Sequence, residues 1–232
     1  MTTVNVRRAT GLAMFAVGAV EGACSGGTPT TQAPTPRTGA DSIATSARRP
    51  ATDTLPGLVP PGFGTLRQDD LSLRMRSSNL QVRAVPLDES IIRLMSPDSY
   101  RALSELKRSK NDAIASVARR TGSRELSLWY VSFFAVERGE TRFSPREFII
   151  TNVGRDFRPL DVIPLTPRFG EQRLRQNERQ DAIYAFDGRI DVHQPLTVAY
   201  ETARNDDWAD VLPQIERERA LVKSRAAAGR TP

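Results

Sequence analysis

The stretch from Leu126 to Thr151 constrains the fold more than any other part of the chain. Leu126 to Val136 carries Trp129, Tyr130, Val131, Phe133 and Phe134, and it stops at Glu137-Arg138-Gly139-Glu140. A run so rich in aromatic and β-branched side chains, ended by a turn signal, reads as a central strand. Glu147 to Thr151 is apolar as well, through Phe148, Ile149 and Ile150, and is expected to return beside it as the second arm of a hairpin. Both arms are apolar, which puts the pair in the middle of a sheet covered at least partly on both faces.

The flanking segments supply the rest of a sheet protein. Leu71, Leu73 and Met75 alternate with Ser72, Arg74 and Arg76, and after Ser77-Ser78-Asn79 the alternation resumes with Leu80, Val82 and Ala84 up to Pro86. This predicts two half-buried strands with Arg74, Arg76, Gln81 and Arg83 on the solvated face. Ser96-Pro97-Asp98 supplies a capping hydroxyl, a first-turn proline and a first-turn acid, and so predicts an inserted helix over 97–120, ended by Thr121-Gly122 and lying as a lid over one sheet edge. Phe157 to Leu165 reads as an edge strand, because Pro159 and Pro164 cannot donate to a ladder. Residues 168–180 read as a long polar loop. Ala182 to Phe186 is a strand turning at Asp187-Gly188 into Arg189 to Val192, and Leu196, Val198 and Tyr200 form the last strand. Trp208, Val211, Leu212 and Ile215 mark a C-terminal helix whose first half docks while the remainder projects, with Pro213 as a break or late start. About seven short strands separated by turns make the chain mainly β: an antiparallel, immunoglobulin-like β-sandwich over 63–205, with the inserted helix, followed by a C-terminal helix and tail over 206–232.

Two segments precede the sandwich. Residues 1–24 have the make-up of a signal peptide, with Arg7 and Arg8 ahead of an apolar run from Gly11 to Val20 that is too short to span a bilayer. The run ends at Val20-Glu21-Gly22-Ala23-Cys24-Ser25-Gly26-Gly27, small residues before a lone cysteine, and this region resembles the cleavage and lipidation site of bacterial lipoproteins. The family usually carries an aliphatic residue three positions before the cysteine, and here that position is Glu21. The resemblance implies that Cys24 becomes the acylated first residue of the mature chain. Residues 25–62, rich in Thr, Ala and Pro, cannot bury enough apolar surface to offset the entropy of ordering and are expected to be a disordered linker with an end-to-end distance of roughly 35 Å.

The chemistry available is narrow. Cys24 is the one cysteine and His193 the one histidine among 232 residues, so neither a disulfide nor a thiolate or imidazole metal cluster is expected, and no cofactor is implied. There is no phosphate-binding glycine loop and no nucleophile elbow. The acid pairs Asp69-Asp70 and Asp206-Asp207 sit where turns and caps need them. Of the residues behind the net charge of +6, only Lys107, Lys110 and Lys223 are lysines; the remainder are arginines. Arg155, Arg158, Arg168, Arg173, Arg175 and Arg179 are the candidate rim for an anionic partner, lipid or glycan rather than nucleic acid, since the aromatics belong to a buried strand. These features point to a non-catalytic cell-envelope lipoprotein. It would be anchored in a membrane by lipid and face the periplasm or exterior, a protein-binding or structural module that engages another envelope protein through a sheet edge or the 168–180 loop. The alternatives are a secreted or periplasmic soluble form, a sensor or carrier holding a small or anionic molecule between the sandwich and the 97–120 helix, and an unrecognised hydrolase.

Overall fold

The structure, a computed structural model, describes residues 57–229 apart from Ser78 and Glu171. The leader, Cys24 and most of the linker lie outside the described residues. In chain order the body runs β1 (Leu73–Ser77), β2 (Leu80–Pro86), α1 (Glu89–Ile92), α2 (Pro97–Ser109), α3 (Asn111–Thr121), β3 (Leu126–Ala135) and β4 (Glu140–Phe143). A 3-10 turn at Pro145–Glu147 leads into β5 (Phe148–Asn152), β6 (Arg155–Phe157), β7 (Asp161–Pro164), β8 (Gln172–Arg175), β9 (Arg179–Asp187), β10 (Leu196–Tyr200), β11 (Ala203–Asn205) and α4 (Trp208–Ala228). The chain is mainly β: antiparallel sheets ordered β1-β2-β3-β9-β7 and β11-β10-β5-β6 face each other as in a β-sandwich, with a β4-β8 ribbon beside them and a C-terminal helix.

Alternation decides which side chains meet. β1 buries Leu73 and Met75 and exposes Arg74 and Arg76, as its period of two requires. On the inner face of the larger sheet Trp129, Phe133, Tyr184 and Phe186 are fully buried, and they meet Phe148 and Tyr200 from the smaller one. Phe133 and Tyr200 approach edge to face at 5.2 Å between ring centroids, and Phe148 and Tyr184 at 5.4 Å, the geometry that aromatic quadrupoles favour. The outer face of the larger sheet is covered by α1 to α3, which bury Ile91, Ile92, Leu103 and Val117.

The central pair is rearranged from the hairpin expected over 126–151. β3 lies between β2 and β9, whereas β5 pairs with β6 and β10 in the opposite sheet. The two apolar runs do cover one another, but across the core instead of side by side, and β4 occupies the connection. The helix expected over 97–120 is two helices: Lys110 leaves helical geometry at φ −110°, and the Ser109 hydroxyl donates back to Leu106 O at 2.7 Å. Residues 189–192 form no strand. They are held by the buried Asn152, whose side chain donates to Asp191 O and Pro195 O and accepts from the Asp191 N–H. Gly188 permits this departure, because a Cβ there would sit 2.8 Å from Glu125 O.

α4 docks along its whole length and contains Pro213 without ending there. Trp208 packs on Trp129 at 6.2 Å and donates to Val192 O, and Ile215, Val222 and Ala226 are buried further along. Glu218 is buried as well. Its Oε1 accepts from the Thr65 N–H at 2.8 Å, the Thr65 hydroxyl at 2.9 Å and Arg225 at 2.7 Å, tying the start of the body to its last helix. Burial pushes this carboxyl up, but the bonds from Arg225 and Thr65 together outweigh it and hold the group below the ordinary glutamate range. Packing reaches back to Val59, which is buried and whose carbonyl accepts from Arg93.

Candidate docking surface

The two sides of the sandwich are closed differently. On one, β1 packs against β10 and β11, and Asn205 Nδ2 donates to Arg74 O at 3.1 Å. On the other, the chain crosses from β6 to β7 through residues 158–160, and outside that crossing lies a cleft of about 450 Å³. Its walls include Arg146, Arg158, Leu160, Val162, Pro164 and Phe169. The expected sheet edge and the front of the expected 168–180 loop therefore converge on one place.

The edge itself refuses another strand. β7 pairs with β9 on one side only, as an edge strand should. Leu165 N–H donates to Asp181 O at 2.9 Å, so by alternation Asp161 and Ile163 also turn their backbone groups toward β9, and Val162 and Pro164 turn theirs outward. The Val162 N–H is taken by Asp161 Oδ1 at 2.8 Å, and Pro164 has none. An incoming strand would find acceptors without donors, a form of protection that edges of soluble sheets commonly carry.

The cleft is cationic. Asp161 is the one carboxylate in its wall among the described residues, and it is fully engaged: Oδ1 by Val162, Oδ2 by Arg120 of α3. Arg146 and Arg158 are exposed and form no ion pair among the described residues. The β4-β8 ribbon continues this character. Thr141 and Leu174 point inward and are buried, which sends Arg142 and Arg173, directly opposite one another in the register, to solvent together. Arg173 has Glu140 at 3.3 Å; Arg142 has no ion-pair partner among the described residues. Like charges placed opposite each other on a ribbon cost stability unless an anion lies between them.

The structure does not gather the six rim arginines into one group. Arg158 lines the cleft and Arg173 stands on the ribbon's outer face, as does Arg175, opposite Glu140. Arg155 closes the two-residue turn of the β5-β6 hairpin, whose Val153 and Gly154 both have positive φ. Arg168 occupies a left-handed turn position at φ 60° and is exposed. Arg179 is turned to the outer face of the larger sheet, where it bonds Asp181 at 2.8 Å and the Tyr130 hydroxyl. Residues 172–175 are strand, not loop, because Leu174 has a buried place to fill against Thr141. Sequence reasoning missed Arg142 and Arg146. The alternation of Thr141 with Arg142, matched by Leu174 with Arg173, was the available signal.

The other candidate chemistry resolves into structural roles. His193 Nδ1 lies 3.3 Å from Arg219 Nη2, and a guanidinium only donates, so the ring proton sits on Nε2 and is given to Ser90 Oγ at 2.9 Å. Ser90 in turn donates to Asp88 Oδ1 at 2.5 Å, the N-cap of α1. A hydrolytic serine needs the opposite polarity, with the imidazole accepting its proton. Asp70 accepts from the Arg67 N–H in a turn, Asp69 pairs with Arg74 and Arg83, and Asp207 precedes α4. Between α2 and the sheet there is a shallow cleft whose acid, Asp181, is already satisfied by Arg179 and Tyr130. Among the described residues no three His, Cys, Asp or Glu side chains come together as metal ligands, and no helix is long and apolar enough to cross a membrane. Compared with protein-family models, with curated proteins and with solved structures, the chain matches none.

Proposed function

We propose that the chain is a lipid-anchored, non-catalytic module of the bacterial cell envelope that docks another envelope protein at the cleft between β7 and the turn before β8. The observation that carries this reading is the convergence there of a strand-proof edge, an apolar wall and two guanidiniums that form no ion pair among the described residues. The polarity of the Asp88, Ser90 and His193 chain speaks against a serine nucleophile at Ser90. Cys24 is the proposed acylation site, residues 25–56 are part of the proposed tether, and the sandwich serves as a rigid scaffold in the manner of immunoglobulin-like domains, a likeness of architecture alone.

One experiment with two arms tests this. In cells fed a labelled fatty acid, the label is expected in the native chain and lost in Cys24→Ser; equal labelling of both, or a cytosolic product still bearing its first twenty residues, overturns the anchor. A photo-crosslinking residue at Leu160 is expected to trap one discrete envelope protein, whereas the same residue at Leu221 on the exposed face of α4 traps none. Equal trapping at the two positions, or none at either, overturns docking at the cleft.

A further inference from the structure

The ribbon runs into the cleft along both of its strands. β4 carries Arg142 and passes, two residues after its last, into the turn that holds Arg146; β8 carries Arg173 and is preceded by the Phe169-Gly170 wall of the cleft. Along this path lie Arg142, Arg173, Arg146 and Arg158, and of these only Arg173 meets a carboxylate among the described residues. Burial accounts for Thr141 and Leu174 and not for arginine at the two outward positions, where placing Arg142 opposite Arg173 works against ribbon stability.

We infer that the strip receives an extended acidic peptide segment of the partner, gripped by guanidinium to carboxylate pairs and not by strand addition; this rests on the docking reading above. Three features select that ligand. Alternate residues of an extended chain present carboxylates on one face about 6.6–7 Å apart, a spacing that long arginine side chains on neighbouring strand positions can follow. The guanidiniums are spread over β4, β8, the turn before β5 and the crossing from β6 to β7, more than one small anion can bridge. The strip ends in a concavity walled by Leu160, Val162 and Phe169, which suits an inserted side chain; a flat layer of lipid headgroups would leave it empty. Strand addition is closed off because β7 has no outward N–H to give.

The test measures binding of fluorescein-labelled hexaglutamate to the purified full-length chain by anisotropy. Arg142→Gln/Arg173→Gln and Arg146→Gln/Arg158→Gln are each expected to weaken binding about tenfold, the loss of two charge pairs. Arg217→Gln/Lys223→Gln on α4 removes the same charge elsewhere and should weaken it less than about twofold. All of these positions are exposed, and matching thermal melts will confirm folded variants. Equal weakening by all three pairs, or no hexaglutamate binding at all, overturns the inference. So does displacement of hexaglutamate by phosphatidylglycerol vesicles that bind the chain, which would assign the strip to a membrane surface. A crosslinked partner at Leu160 that survives both arginine pairs overturns the acidic ligand while leaving the docking reading intact.

Discussion

The sandwich core and the β4-β8 ribbon obey the same rule of alternation and use it to opposite ends. In the core most inward positions go to apolar side chains, with Trp129, Phe133, Tyr184, Phe148 and Tyr200 all fully buried. In the ribbon Thr141 and Leu174 are buried inward positions, and the outward ones place two guanidiniums face to face. The difference separates where stability resides from where it is given up. Two hydroxyls join the regions: Tyr200 accepts from the Ser144 N–H at 3.0 Å, and Tyr184 donates to Pro145 O at 2.7 Å. The aromatic core thus fixes the segment immediately before Arg146.

The hardest blow to this contrast is struck in the core. Phe133→Ala should cost about 3–5 kcal/mol, through lost burial and the cavity left among Tyr184, Tyr200 and their neighbours. Urea unfolding will read it, and a loss below about 1 kcal/mol would mean that the facing sheets do not hold the body together. A smaller effect is expected where the regions join. Tyr200→Phe leaves a buried N–H at Ser144 without its acceptor and should cost about 1–3 kcal/mol. It should also lower hexaglutamate affinity, through a less firmly held Arg146, in a chain that still melts cooperatively. Burial pushes the Tyr200 hydroxyl up to about 12, against the opposing pull of the Ser144 N–H. The folded state therefore favours the neutral phenol: this contribution is complete below the ordinary value of 10.0 and is lost as pH rises from there through about 12. Tyr200→Phe should flatten that alkaline loss, and an unchanged profile would remove Tyr200 as its source.

The two regions also differ in how far the sequence reveals them. Period-two alternation identified β1 and β2, and aromatic density identified β3 as a central strand, because both signals are local. Which strand lies beside β3 is not local. Phe148 and Ile150 demand burial, but pairing with Trp129 and packing across from it satisfy that demand equally well, and only the tertiary fold selects the second. The far half of α4 was hidden by Glu218, an inward-facing acid that disguises the periodicity until Thr65 and Arg225 are seen beside it. The cleft was half visible: Arg158 stood out beside the edge prolines. Arg142 and Arg146 did not, because their neighbours come from a four-residue strand paired with a segment far along the chain, too short for alternation to stand out from a polar loop.

The smallest expected effect is the sharpest test of what the ribbon is for. Arg142 is exposed, stands opposite Arg173 and has no ion-pair partner among the described residues, so Arg142→Gln removes a repulsion and little else. Its stability should rise or hold within about 0.5 kcal/mol. Arg76→Gln gives the contrast, since Arg76 bonds Glu137 at 3.0 Å on an exposed strand face and its removal should cost a few tenths of a kcal/mol at most. Comparing the two in urea separates arginines that support the fold from arginines that burden it. A clear loss of stability in Arg142→Gln would show that the ribbon needs that side chain for its own structure, and the energetic reason for assigning it to a partner would be gone.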